Sequence, residues 1–471
     1  MKREFLLLSL VAALGGCSLI PQYEKPALPV PAVWPEGDAY KSHAGANASL
    51  VGWQTFFKDQ DLHRLIDVAL DNNRNLRKAA LNVAAYRAQY QIQRSEIVPE
   101  VGLEGKTGRS RVPADLSPTN RHMTSGDNSV GIGLTSYELD VWGRIRSLSA
   151  SALETYLASE ETERSVLISL VADVSTAYLT WQTDNQLLAV TRDTLTNYRH
   201  NLDLIEESSS VGTASDLDVR QARTLVDSAR GQVQAYKRQV AQDRNALRLL
   251  LGTEIPSGLR LKKLDGQMLA SLPVGLPSDL LQQRPDIRAA EHALQAANAN
   301  VGAARAAFFP SITLTASAGT ASNQLSGLFE NGSESWSFVP QIHLPIFTGG
   351  RLKASLDYSK IQKDINVASY EQSIQVAFRE VADGLAATGT WREQVESQRD
   401  LVQSTDEYTQ MAQQRYDEGV DNYLTLLDAQ RQQLAARQNL LTNHLEQLKA
   451  QIQLYKALGG GWSSKDVAFQ R

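Results

Sequence analysis

The feature that most constrains this chain is that it repeats itself. Sliding the sequence by 207 places lays Gly212 on Gly419, Leu217 on Leu424, Ala222 on Ala429 and Leu251-Gly252 on Leu458-Gly459. The same shift lays Gly143-Arg144-Ile145 on Gly350-Arg351-Leu352, without a gap over more than a hundred residues. An earlier block repeats at 211 places: "NLRKAA" from Asn75 resembles "DIRAAE" from Asp286, and Pro99 falls on Pro310. Self-similarity on this scale means two copies of one structural unit. Each copy reads helix, strand, strand, long helix, turn, helix.

The helices carry coiled-coil spacing. From Leu424 an apolar seam runs through Leu427, Leu434, Leu441, Leu445, Leu448, Ile452 and Tyr455, interrupted by Arg431 and Gln438. Leu153, Leu157, Leu167, Val171, Val174, Tyr178, Trp181, Leu188, Leu195 and Leu202 do the same in the first half. Between Gly143 and Val211 there is neither Pro nor Gly, so a helix of about 100 Å is expected there at 1.5 Å per residue.

The strands alternate. Val101 and Leu103 oppose Glu100, Glu104 and Lys106, and Val130, Ile132 and Leu134 oppose Ser129, Gly131, Gly133 and Thr135. Ile312, Leu314, Ala316 and Ala318 alternate with Ser311, Thr313, Thr315 and Ser317, and Trp336, Phe338, Ile342 and Leu344 with Ser335, Ser337, Gln341 and His343. Such period-two segments suit a transmembrane barrel; taken singly, each also fits a half-buried sheet. Four strands cannot close, and open edges are excluded from hydrocarbon. Two chains would make a filled barrel, whereas three give twelve strands and a pore. The two turns then become the tips of two helical hairpins per subunit.

The N-terminus sets the compartment. Lys2 and Arg3 precede an apolar run, Phe5 to Leu14, and Leu14-Gly15-Gly16-Cys17 is a lipobox. Cys17, the one cysteine in the chain, is therefore expected to become an N-acylated, S-diacylglyceryl N-terminus, a lasting anchor, rather than a buried core thiol. Ser18 after it points to the outer membrane. The charge is −5, or −6 once residues 1–16, with Lys2, Arg3 and Glu4, are removed. Basic residues are scattered, so nucleic acid is not an expected partner. No stretch reaches the roughly 18 apolar residues of a transmembrane helix.

Catalytic chemistry finds no support. The seven histidines (His43, His63, His122, His200, His292, His343, His444) lack metal-ligand spacing among themselves or with Cys17. Gly105-Lys106-Thr107 resembles the end of a phosphate-binding loop, but Glu100 stands where that loop needs Gly. No enzyme activity, metal or cofactor is expected.

The blocks "LGGCSLIP" from Leu14, "GWQTFFKDQDL" from Gly52, "NNRNLRKAALNV" from Asn72, "YELDVWGRIRS" from Tyr137, "LPSDLLQQRPDIRAAEH" from Leu276, "AARAAFFPSITLTA" from Ala303, "LPIFTGGRLKASLDY" from Leu344, "GVDNYLTLLDAQR" from Gly419 and "LYKALGGGW" from Leu454 resemble the TolC family of outer-membrane efflux factors, in its acylated, OprM-like branch. The resemblance spans the chain. It implies a mainly α fold with transmembrane β: a homotrimer whose twelve-stranded barrel continues into a long periplasmic α-helical barrel. It also implies the exit duct of a tripartite multidrug efflux pump, with a periplasmic adaptor and an inner-membrane RND transporter as partners alongside outer-membrane lipid. By the same resemblance, Leu424 and Asp428 form apolar and carboxylate rings that gate the periplasmic end, and Arg415 and Tyr416 latch neighbouring helices. The tip residues Gly212, Asp216, Asp218, Gly419 and Asp421 become candidates for adaptor contact. A duct for protein secretion and a lipid-anchored periplasmic coiled-coil scaffold are the alternatives.

The expected organisation is a signal peptide (1–16), an acylated extended segment (17–55), a first repeat (56–252), a linker (253–284), a second repeat (285–459) and a tail (460–471). Strands are expected at about 98–111, 128–141, 308–320 and 334–346, and the tips at about 211–216 and 418–424.

Overall fold

The computed structural model describes residues 18–40, 51–118, 120–260, 268–270, 272 and 284–460. Cys17, the signal peptide, nearly all of the tail and most of the 253–284 linker lie outside the described residues.

The elements are α1 (Trp53–Phe56), α2 (Gln60–Asn72), α3 (Arg74–Ser95), β1 (Val101–Val112), β2 (Met123–Leu139), α4 (Arg144–Ser210), α5 (Asp216–Leu251), α6 (Pro285–Ala306), β3 (Ser311–Ser322), β4 (Glu334–His343), α7 (Arg351–Asp417) and α8 (Tyr423–Ala457). The long helices α4 and α7 have 67 residues each, so the two halves repeat in structure as in sequence. The chain divides into two compact units.

The first unit comprises the described residues within Met1–Ala27, Asn82–Ser159 and Ala289–Tyr370. Its sheet is antiparallel in the order β1-β2-β3-β4, leaving β1 and β4 as edges. Register sorts the side chains by face, because directly paired residues point the same way. One face carries Val101, Leu134, Ala316 and Phe338 in one row and Leu103, Ile132, Ala318 and Trp336 in the next. The other carries Glu104, Lys106, Ser129, Ser317, Ser335 and Ser337. On the apolar face Leu103 is 76% exposed and Trp336 79%, a surface that water would not hold uncovered. β2 and β3 approach closely at Gly319, where any Cβ would collide with the Val130 carbonyl oxygen.

The described N-terminal segment of this unit lies along α6. Asn298 Nδ2 donates to the Pro21 carbonyl at 2.8 Å, and Lys25 Nζ pairs with Glu291 at 2.8 Å. A side chain at Gly302 would strike Ile20.

The second unit comprises the described residues within Leu28–Leu81, Glu160–Arg288 and Glu371–Arg471. One core gathers Phe56, Phe57, Leu62, Leu65, Ile66, Tyr178, Leu247, Leu251, Ile452 and Tyr455. Phe56 stacks on Tyr455 at 4.1 Å, and the Tyr455 hydroxyl donates to the Val51 carbonyl at 2.6 Å. Arg284, only 7% exposed, joins three helices by donating to Asp286, to Glu380 and to the Ala457 carbonyl.

The α8 seam requires one correction. Leu427, Leu434, Leu445, Leu448, Ile452 and Tyr455 are buried, but Leu424 is 54% exposed. Tyr423 and Leu426, at 3% and 1%, take its place in the core. In its first turns α8 has neighbours on two sides, so the buried arc is wider than a two-helix seam and is set by those neighbours.

Candidate gate at the helical tips

Both tips are built by the same backbone device. Gly212 and Gly419 adopt φ of 82° and 72°, the left-handed conformation that ends a helix. At the first tip the Gly212 amide donates to the Ser209 carbonyl and the Thr213 amide to Ser208. At the second the Gly419 amide donates to Tyr416 and the Val420 amide to Arg415. The next helices are then capped in equivalent places: Ser215 accepts from the Asp218 amide, and Asn422 from the Thr425 amide. At the first tip Asp218 returns a bond to the Ser215 amide, completing a capping box.

The side chains differ. Arg415 spans the second turn to Asp421, Nε to Oδ2 at 2.7 Å and Nη2 to Oδ1 at 3.0 Å. The Arg415 hydrogen bond holds the Asp421 carboxyl below its usual range. The positions equivalent to this pair at the first tip are Ser208 and Ala214, so the fork exists at one tip only. Tyr416 packs on Tyr423 with centroids 5.6 Å apart. Burial, then Tyr416, Tyr198 and Asp218, push the Tyr423 hydroxyl up to about 12. Burial, then Asp218 and Asp417, raise Tyr416 too. The charge of Asp218 on the first tip thus acts on the aromatic pair of the second.

The hairpins share a core of Leu195, Tyr198, Ile205, Leu225, Tyr423 and Leu426, with Val219 and Tyr416 packed on it. A cleft of about 370 Å³ runs between the end of α4 and the second tip, lined by Leu204, Val211, Tyr416 and Tyr423 among others. Leu424 and Asp428 lie one turn apart on the exposed side of α8. Asp428 Oδ2 accepts from Gln432 Nε2 at 2.6 Å. Within the chain Arg415 and Tyr416 both serve their own hairpin, and Asp216 opens α5 as an exposed first-turn residue.

Sequence reasoning missed Tyr423 and Tyr198 as the aromatic floor of this site, because a tyrosine on a coiled-coil helix reads as one more seam residue. It also missed Asp184 and Asp243, both 8% exposed and side by side across α4 and α5. Their positions carry no local signal. Among the described residues no group of three or more His, Cys, Asp or Glu could hold a metal ion, and no helix is long and apolar enough to cross a membrane.

Comparison with known proteins places this geometry. The family described as "Outer membrane efflux protein" matches residues 65–253 and 276–460, once per repeat. The toluene efflux pump outer membrane protein TtgF of Pseudomonas putida is 56% identical, over 98% of each chain. A solved membrane protein from Pseudomonas aeruginosa superposes with a TM-score of 0.88 at 44% identity, covering 94% of this chain and 100% of that one. The open-state MtrE outer membrane channel of Neisseria gonorrhoeae gives a TM-score of 0.84 at 36% identity, covering 94% and 98%. The chain belongs to the outer membrane efflux protein family, of the TolC and OprM type, and resides in the outer membrane.

Proposed function

We propose that three copies of this chain form the exit duct of a tripartite efflux pump that carries small toxic organic compounds from the periplasm to the exterior. The observation that carries the reading is the sheet: four strands with two open edges and one exposed apolar face. Backbone groups at an open edge cannot remain unpaired in hydrocarbon, so β1 and β4 need partner chains. Three copies of four strands give twelve, wide enough to leave a lumen. The polar face of Glu104, Lys106, Ser129 and Ser317 then lines that lumen.

The partners in this reading are a periplasmic adaptor and a proton-driven inner-membrane transporter of the RND class. The adaptor meets the tips at Gly212, Asp216, Asp218, Gly419 and Asp421. Leu424 and Asp428 ring the periplasmic end of the pore, and Arg415 and Tyr416 hold it shut. Three carboxylates near a threefold axis repel one another and attract cations, so closure rests on contacts elsewhere in the hairpins. Partner contacts that favour the open hairpin arrangement shift the population towards it. Cys17 carries the lipid. Substrates resemble the toluene for which the relative TtgF is named. The chain performs no catalysis.

Planar-bilayer conductance of the purified acylated protein tests this. Small cation-selective openings from a trimer are expected. Folded protein without a channel would overturn the duct and leave a lipid-anchored scaffold.

A further inference from the structure

The sheet sets two arginines of β1 on its apolar face. Beyond the apolar rows, this face continues through a mixed row of Gly105, Val130, Thr320 and Glu334 and then reaches a polar row of Thr107, Asn128 and Ser322. Thr107 Oγ1 donates to Asn128 Oδ1 at 2.8 Å, and Asn128 Nδ2 donates to the Ser322 carbonyl at 3.1 Å. The next two residues of β1 on this face are Arg109, opposite Gly126, and Arg111, opposite Thr124. Both are exposed, and among the described residues neither makes an ion pair.

The nearby acid does not neutralise them. Asp127 lies on the opposite face, where it pairs with Lys106 at 3.1 Å. Within one chain Glu334 shares the face of the arginines but stands on β4, three strands away, about 14 Å at sheet spacing, and in the row of Gly105; in a closed trimer it is the acid that an adjacent copy's β4 brings to the β1 edge. The same hairpin adds two basic groups, Arg121 and His122, and one acid, Asp115, whereas residues 323–333 of the other hairpin contain no Lys, Arg or His.

Depth gives this arrangement meaning. Helices α3, α4, α6 and α7 join the strands at one end and the two hairpins lie at the other, so a periplasmic helical end puts the hairpins outside. The apolar rows would meet acyl chains, and the polar row would mark the end of the hydrocarbon. Arg109 and Arg111 follow at steps of roughly 7 Å along the strand, at the level of the outer-leaflet headgroups. Guanidinium groups grip phosphate bidentately, and two without an ion-pair partner in their own chain, on a lipid-facing surface, suit an anion from the membrane side.

We infer that Arg109 and Arg111 form a binding site for the phosphates of a phosphorylated glycolipid in the outer leaflet. This rests on the membrane-barrel reading above.

The test titrates the purified acylated trimer in detergent with bisphosphorylated lipid A, with the same lipid A stripped of its phosphates, and with inorganic phosphate. Wild type is expected to bind the phosphorylated form at least tenfold more tightly, with the advantage shrinking in high salt. The double variant Arg109→Gln with Arg111→Gln should bind both forms alike, and Arg109→Lys with Arg111→Lys should keep part of the preference. Equal binding of both forms by wild type, which involves no variant, would overturn the site. So would an undiminished preference in the Gln variant. Competition by millimolar inorganic phosphate would assign a free-anion site and overturn the lipid. Trimer dissociation in the Gln variant with lipid preference intact would move the arginines to the subunit seam and overturn it as well. Wild-type conductance separates the two readings: a conducting trimer indifferent to phosphate defeats the lipid site alone, and a non-conducting one defeats the barrel.

Discussion

Arg415 and Asp421 close the second helical turn with a two-pronged ion pair, 2.7 and 3.0 Å, and the first turn has Ser208 and Ala214 in their places. The two hairpins share a backbone plan, but one carries an electrostatic brace. Asp421→Ala or Arg415→Ala should therefore loosen the second tip alone. Limited proteolysis should cut near Val420 several-fold faster, with Val211 unchanged, and resting conductance should rise. Equal cutting at both tips would refute the brace.

The same pair has a pH signature. The folded-state pKa of Asp421 lies below its unfolded one, so its contribution is complete above the ordinary carboxylate value of about 3.9. It disappears only as pH falls through the depressed value. Resting conductance of wild type should hold steady from pH 7 to about 5 and rise only below about pH 4. A rise already at pH 6 would implicate another group.

Asp184 makes the opposite prediction. Burial, then the hydrogen bond and charge of Asp243, push it up to about 7, with Lys449 opposing. A carboxyl whose folded pKa is raised binds more protons folded than unfolded, so stability falls as pH rises from about 4 to 7 and is flat above. Asp243→Asn removes the neighbouring charge. It should raise the melting temperature at pH 8 by a few degrees and shrink the fall between pH 4 and 7, as scanning calorimetry would show.

Asp428 offers an exposed carboxylate that accepts a hydrogen bond from the neutral amide of Gln432. In a threefold ring it would bind multivalent cations. Asp428→Ala should weaken their block of the channel about tenfold, or ~1.4 kcal/mol, and Leu424→Ala should leave block unchanged while raising conductance. Unaltered block in Asp428→Ala, measured in single-channel recordings, would remove the residue from the pore.

Gly252 ends α5 with φ of 68°, and a Cβ there would collide with the Asn72 carbonyl. Gly252→Ala combines left-handed strain with that clash and should cost about 1–3 kcal/mol or more. Gly231→Ala, in the interior of α5 with open space around it, should instead stabilise by up to about 1 kcal/mol. Thermal unfolding of the pair measures both.

By itself, the sequence determined what depends on neighbours a few residues away or on simple period. The duplicated order of elements, the α4 helix without Gly or Pro and the strand alternation were all legible there. So were the glycines of the two tips, because a left-handed helix end and a cap involve residues at most six apart. Tertiary structure decided what depends on side-by-side alignment. A heptad could not tell that Leu424 faces out while Tyr423 and Leu426 face in, since the buried arc of α8 is set by α4 and α7 as much as by its own spacing. Asp184 and Asp243 meet only because α4 and α5 run in that register, 59 positions apart in the chain. Alternation put Arg109 and Arg111 in phase with Val101 and Leu103. Only the sheet register, by turning Asp127 to the other face beside Lys106, left them without an acid opposite them on the paired strand.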